Sequence, residues 1–277
     1  MQKSNSSEGS RAPLDSLRLI GVVHLLPLPG APRFGGSMAR VIEAALRDAE
    51  ALERGGADAI IVENFGDVPF RPGRVDAETV AAMGLAVRAV RERCALPIGV
   101  NVLRNDARSA LGIAAATGAT FVRVNVHTGA AVTDQGVIRG EADATLRAAA
   151  ALFPDPATRP WILADVHVKH AAPLGASELG RAALDTHLRG LADGLIVSGA
   201  GTGAGTAPKD LERVRAVLPD VPLFVGSGFT PESAPELCDA GGAPFGAIVG
   251  TYLKESGDVT RPVDPARVAA VAECLKG

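Results

Sequence analysis

The chain has 277 residues, of which 47% are hydrophobic and only 4% aromatic, so its apolar mass is aliphatic. The 32 Gly and 19 Pro follow no collagen-like period and form no long low-complexity block, and a formal net charge of -3 builds in no global attraction to nucleic acid or anionic lipid. Cys94, Cys238 and Cys274 are too far apart in sequence for a metal knuckle or redox pair, so a reducing compartment, the cytoplasm, is expected.

Residues 1–13 are polar, lack an apolar segment of signal-peptide length and read as a disordered tail. No apolar run approaches the roughly eighteen residues of a membrane span. From residue 14 onward, short β-branched runs alternate with longer segments of helical period, the pattern of repeated βα units and a parallel sheet. The predicted strands are 17–24, 57–64, 97–103, 120–125, 161–169, 193–199, 222–228 and 246–251. Predicted helices include Met38–Arg54, Ala77–Arg93, Ala142–Leu152, Leu211–Leu218, Glu232–Ala240 and Pro265–Leu275. The even strands are entered through small or Gly-rich helix ends (GGADAIIVEN, TGATFVRVN, LADGLIVSG, GGAPFGAIVG), several odd ones through proline (LPIGVNV, RPWILADV, VPLFVGS). A (βα)₂ unit used four times fits a closed eightfold barrel, so one (β/α)8 TIM barrel over 14–277 is expected. Helix-to-strand links are tight, whereas the links after strands are long (25–37, 65–75, 126–140, 170–176, 200–207). In such barrels the loops after the strands build the active site.

Period-two alternation sorts the strand ends. In strand five, Ile162, Ala164, Val166 and Val168 form an apolar row, and Asp165, His167 and Lys169 fall on the other, expected to face the barrel axis. Strand four repeats this, with Val122, Val124 and Val126 outward and Arg123, Asn125 and His127 inward. An internal Arg123–Asp165 ion pair would explain two of these groups. Three ionisable groups in one inward row are costly to bury for packing alone, which favours function. Glu63 ends an otherwise aliphatic strand, a setting suited to proton transfer, with Asp165, His167 or Lys169 as complementary group. Glu63, Asp165, His167 and Lys169 are therefore the catalytic candidates. His24, Asn64, Asn101, Arg123 and Asn125 are candidates for orienting a substrate. A histidine ending a strand is almost as often merely hydrogen-bonded. His24, Asp165 and His167 leave a divalent metal open in composition, ranked below metal-free chemistry because strands one and five lie across a barrel. No organic cofactor is expected.

The second constellation is glycine-rich. Strand six ends in SGAGTGAGT (198–206), strand seven in GSGFTP (226–231) and strand eight in Gly250-Thr251. Thr230 reads as an N-cap and Pro231 as a first helical residue. Glycine alone explains any one tight turn. Three consecutive loops with exposed backbone N–H groups point to phosphate, held by Ser198, Gly199, Gly201, Gly226, Ser227, Gly228, Gly250 and Thr251. Residues 199–206 lack the Gly-Lys-Ser/Thr ending of a Walker loop and the dinucleotide glycine spacing, and Ser198 sits in no nucleophile elbow.

The segments GVVHLLPLPGAP (21–32), GGADAIIVENFGDVPF (55–70), GVNVLRND (99–106), FVRVNVHTGA (121–130), DVHVKHA (165–171), GLIVSGAGTGAGT (194–206), VGSGFTPES (225–233) and IVGTYLKESGDVTRPVD (248–264) resemble the BtpA/SgcQ family over nearly the whole chain after the tail. The resemblance implies a TIM barrel of the phosphate-binding type. The family name carries an association with photosystem I accumulation, while other members sit in sugar-metabolism contexts. The expected function is an enzyme acting on a phosphorylated sugar or nucleotide-like small molecule, by isomerase- or epimerase-type proton transfer or by glycosidase-type N-glycosidic cleavage or transfer. The alternative is a non-catalytic biogenesis or stability factor that retains a phosphate site. No nucleic-acid partner is expected, and self-association is left open.

Overall fold

The computed structural model describes residues 13–175, 178–199 and 205–276. The expected tail, residues 1–13, lies outside them except for Pro13. Eight parallel strands close into a barrel: β1 (Leu19–His24), β2 (Ala59–Glu63), β3 (Ile98–Asn101), β4 (Phe121–Val124), β7 (Trp161–Val166), β9 (Gly194–Val197), β10 (Leu223–Val225) and β11 (Phe245–Val249). Neighbours follow chain order, and β1 closes on β11 through Leu19 opposite Ala247. Outside the strands lie α1 (Met38–Gly55), α2 (Ala77–Arg93), α3 (Ala107–Thr117), α4 (Ala142–Leu152), α5 (Leu179–Leu184), α6 (Pro208–Val217), α7 (Ala234–Gly241) and α8 (Pro265–Lys276). The chain is thus an α/β (β/α)8 TIM barrel, as its alternating pattern predicts.

The sequence pattern gives the fold two separate apolar layers. Outward strand residues such as Val23, Val62, Val100, Val122 and Ala164 pack with the Ala-rich helix faces in one large cluster. Inward residues, among them Ile20, Ile61, Phe121, Leu163, Ile196, Phe224 and Ile248, fill the barrel. Two glycines make room for large aromatic rings inside. A Cβ on Gly99 would come within 2.1 Å of the Phe121 ring, and one on Gly246 within 2.9 Å of the Phe224 ring.

Three departures from the sequence reading have local causes. The long link after β4 contains the hairpin β5 (Ala130–Thr133) and β6 (Gly136–Arg139), and β8 (Ala171–Pro173) from the link after β7 pairs with β5. Val126, Ala131, Ile138 and Val168 bury a small cluster of their own beneath this sheet. The fifth barrel strand, β7, stops at Val166 instead of reaching Lys169, because His167 adopts a left-handed backbone with φ 54°. Finally, α7 begins at Ala234. Thr230 accepts the Ser233 N–H in a preceding turn, where a helical cap was expected.

Gly99→Ala therefore forces Phe121 to move within a filled barrel. A loss of about 1–3 kcal/mol is expected in equilibrium urea unfolding, the usual cost of overpacking.

Candidate functional site

The register of the strands brings their last inward residues into one layer. His24 stands opposite Glu63, and Glu63 opposite Asn101. Glu63 is buried, accepts a hydrogen bond of 2.6 Å from Asn101 Nδ2 and lies 3.9 Å from His24 Nε2. Asn101 therefore orients the carboxylate. The His24 ring packs on Phe65, 4.5 Å between centroids, and Gly250 makes this placement feasible, since a Cβ there would lie 2.7 Å from the imidazole. Burial, with Lys254, Lys169 and Arg123 nearby, holds His24 well below the ordinary histidine range and so neutral.

Across the barrel, Arg123 and Asp165 form a buried bidentate pair, with both hydrogen bonds at 2.9 Å. Asp165 also accepts from Asn125 Nδ2 at 3.1 Å and from Ser198 Oγ at 3.2 Å. The expected alternation thus holds on β4 through Asn125 and on β7 through Asp165. It fails for the residues after each. His127 leaves the mouth and bonds the Gly190 carbonyl oxygen at 2.7 Å. His167, turned by its left-handed backbone, faces a cleft lined by Glu178, Asp210 and Arg213 outside the barrel axis. Burial lowers its pKa, partly offset by Asp210 and Glu178.

Lys169 lies beyond the strand yet returns to the mouth. Arg104 Nη2 donates to its carbonyl oxygen at 2.6 Å, which anchors the backbone there. Burial and the Arg123 guanidinium pull Lys169 below the ordinary lysine range, against the opposing pull of Glu63 and Asp165. Arg104 is buried and was absent from the sequence-derived candidates. Its signal was an arginine directly after the aliphatic run of β3, at the end where active-site loops start.

Asn64 does not face the mouth. Its oxygen accepts the Leu103 N–H at 2.7 Å and its amide donates to Asp67 at 3.0 Å, so it clamps the β2 loop to the end of β3 and is not placed to orient a substrate. Among the described residues no three or more His, Cys, Asp or Glu side chains gather as metal ligands, and His24 and His167 lie apart.

Glu63, Lys169 and Arg123 line a cavity of ≈ 310 Å³ together with Gly226–Thr230 and Gly250–Tyr252. Gly226 is required there, since a Cβ would lie 2.4 Å from Ser198 Oγ. Ser227 Oγ accepts the Gly199 N–H at 2.8 Å, joining the loops after β9 and β10. Gly228 has a left-handed backbone, φ 71°. The backbone N–H groups of Gly228 and Thr251 have no acceptor among the described residues. Gly201 lies outside the described residues.

Comparison with known proteins bears on this barrel. The profile of the BtpA family matches residues 16–277. The photosystem I biogenesis protein BtpA of Synechocystis sp. is 48% identical, over 93% of this chain and 87% of that protein. An uncharacterized protein of Thermococcus kodakarensis is 46% identical, over 93% and 95%. An uncharacterized mitochondrial protein of Caenorhabditis elegans is 30% identical, over 91% and 90%. Among solved structures, (S)-3-O-geranylgeranylglyceryl phosphate synthase from Thermoplasma acidophilum, in complex with sn-glycerol-1-phosphate, superposes with a TM-score of 0.57 at 20% identity, covering 94% of this chain and 93% of that one. N-(5'-phosphoribosyl)anthranilate isomerase from Pyrococcus furiosus gives 0.54 at 13%, covering 94% and 98%. These structures share the fold. The chain belongs to the BtpA family. No helix among the described residues is long and apolar enough to cross a membrane.

Two outcomes follow from the buried groups. Asp165→Asn leaves the Arg123 guanidinium buried without its counter-charge, and a loss of about 3–5 kcal/mol is expected in urea unfolding. His24 is neutral when folded and titrates near 6.5 when unfolded, so below that pH the unfolded chain binds the extra proton. Stability is fully present above about pH 6.5 and falls on acidification, by at most about 1.4 kcal/mol per pH unit for this group. Unfolding curves from pH 7 to 5 should show a shallower loss in His24→Asn than in the parent chain.

Proposed function

We propose that this BtpA-family barrel is an enzyme that moves a proton next to the carbonyl of a small phosphorylated sugar. The observation that carries the reading is that Glu63 and Lys169 line the same cavity as the glycine-rich ends of β10 and β11. Gly228 and Thr251 N–H groups, with Ser227 and Gly250 between and beside them, supply dipoles suited to a phosphate. The phosphate fixes one end of the ligand and leaves its carbonyl to meet Glu63 and Lys169.

Glu63, oriented by Asn101, is the base that takes the proton from the carbon beside the carbonyl. Lys169 stabilises the oxygen on which negative charge develops. Arg123 and Asp165 act as positioning residues: all four hydrogen bonds to the carboxylate are made within the chain, so it holds Arg123, Asn125 and Ser198 in place. His24, neutral, orients the ligand by hydrogen bonding. The phosphate-handling neighbours, a synthase bound to sn-glycerol-1-phosphate and a phosphoribosyl isomerase, share this fold and support a phosphorylated ligand by analogy. The Synechocystis relative's name describes a role in photosystem I biogenesis, whereas a relative also occurs in an animal. A chemistry not confined to photosynthesis accounts for both better than an assembly role alone.

The test is incubation with ketose and aldose phosphates in deuterium oxide. The expected result is NMR-detected loss of the proton beside the carbonyl, slowed at least about 100-fold by Glu63→Gln, the scale of general-base catalysis. Release of a free base from nucleoside monophosphates without exchange would favour N-glycosidic cleavage instead. Neither reaction, with full cellular function retained in Glu63→Gln, would favour the non-catalytic alternative.

A further inference from the structure

We propose that the ε-amine of Lys169 is a covalent nucleophile that condenses with the carbonyl carbon of the ligand to form an imine. The proposal deepens the reading of a phosphorylated carbonyl ligand, replaces the oxyanion role of Lys169 with a covalent one, and rests on that reading for the identity of the carbonyl compound.

The cations near the mouth differ in how they are held. Arg123 is fixed on Asp165 and Lys254 on Asp48, at 2.5 Å, while Arg104 donates to the Lys169 carbonyl oxygen. The Lys169 nitrogen makes no hydrogen bond or ion pair among the described residues, although its side chain lines the cavity beside Glu63 and Arg123. Lys254, by contrast, is neutralised by a carboxylate of the chain. Lys169 is aimed at the space where a ligand would lie.

The backbone behind it is fixed. The Arg104 bond holds the Lys169 carbonyl, and the preceding Val168 is buried in the cluster beneath the three-stranded sheet. The side chain therefore extends into the cavity from a fixed point before a ligand arrives, which limits the carbons it can attack. Burial and the guanidinium groups of Arg123 and Arg104 favour the neutral amine, the form that attacks a carbonyl.

The step balances with the groups present. The nitrogen lone pair forms the C–N bond, the C=O π electrons move to oxygen, and a proton passes from nitrogen to that oxygen. The carbinolamine then loses its hydroxyl as water, taking a proton that the Glu63 carboxylate has picked up from solvent and passes on, and a protonated imine is left. One water leaves, and no oxidant or reductant is consumed. Glu63 is now a carboxylate beside an electron-withdrawing iminium carbon, placed to take the adjacent C–H proton, so a single carboxyl serves as acid and then as base.

The experiment is borohydride trapping on the full chain with dihydroxyacetone phosphate and, separately, with ribose 5-phosphate, followed by peptide mass spectrometry and thermal shift with the same compounds. The expected result is a mass gain of the ligand less one oxygen atom on the peptide carrying Lys169, absent in Lys169→Arg. Because the modified residue is mapped in the parent chain, the result does not depend on the variant folding. Binding of either compound, seen as a raised melting temperature, without an adduct would overturn the nucleophile while leaving the phosphate site intact. An adduct that maps to other lysines or persists in Lys169→Arg overturns it as well. If neither compound binds, the phosphate reading fails and glycolaldehyde becomes the probe. Labelling concentrated on Lys169 over exposed Lys209 supports the nucleophile alone, and even labelling overturns it.

Discussion

The mouth of the barrel depends on one interaction, the buried bidentate pair between Arg123 and Asp165. Removing two such charges from water costs several kcal/mol per ion, recovered only where the geometry is good and the remaining lone pairs are satisfied. Here both conditions hold: two bonds of 2.9 Å join the partners, and Asn125 and Ser198 complete the carboxylate. The pair thus ties together the ends of β4, β7 and β9, at the level where the apolar filling of the barrel stops. It also constrains β10, because the space beside Ser198 and Arg123 admits only the glycine at 226. Pinned groups form the floor of the cavity, and Glu63 and Lys169 are left facing the ligand space.

Most of this architecture was legible in the sequence because two periodicities do separate jobs. Helical and period-two runs announce eight βα units, and alternation along β4 and β7 places Arg123, Asn125 and Asp165 inside. Alternation is valid only while the backbone stays extended. It breaks at His167, whose φ of 54° sends its imidazole to an outer cleft. The expected three-residue inward row therefore reduces to Asp165 on the strand. Lys169 reaches the mouth by a different route, through a loop held by Arg104, a contact 65 positions away in sequence that no local pattern encodes. Asn64 misled for a related reason. Its strand-end position resembles that of Asn101, but its side chain meets the chain of the next loop before it can meet a ligand.

Glycine composition had two causes that sequence alone could not separate. Gly99 and Gly246 serve packing, since each makes room for an aromatic ring inside the barrel. Gly226 and Gly250 make room for polar side chains, Ser198 and His24, and at the same time expose backbone along the cavity wall. The anion-ready appearance of these loops and their steric necessity come from the same missing Cβ. The N–H groups of Gly228 and Thr251, without acceptors among the described residues, are what distinguish a wall suited to a ligand from a tight turn.

The charges at the mouth connect these parts. With His24 held neutral and Lys254 committed to Asp48, the groups that bear on the ligand are Arg104, Arg123 and Lys169 against Glu63 and Asp165. If the Lys169 amine is uncharged, two guanidinium groups face two carboxylates and the side-chain charges cancel. In the proposed reading the charge of a phosphate then falls to backbone dipoles at the ends of β10 and β11 and requires no side-chain cation. That division matters for reactivity, because a lysine recruited to hold the phosphate would be protonated by it and could not attack a carbonyl. In the proposed reaction the anion rests on N–H groups of the glycine loops, which leaves the amine free for chemistry, and the neutral His24, seated beside Gly250 and against Phe65, keeps a further positive charge out of the same space.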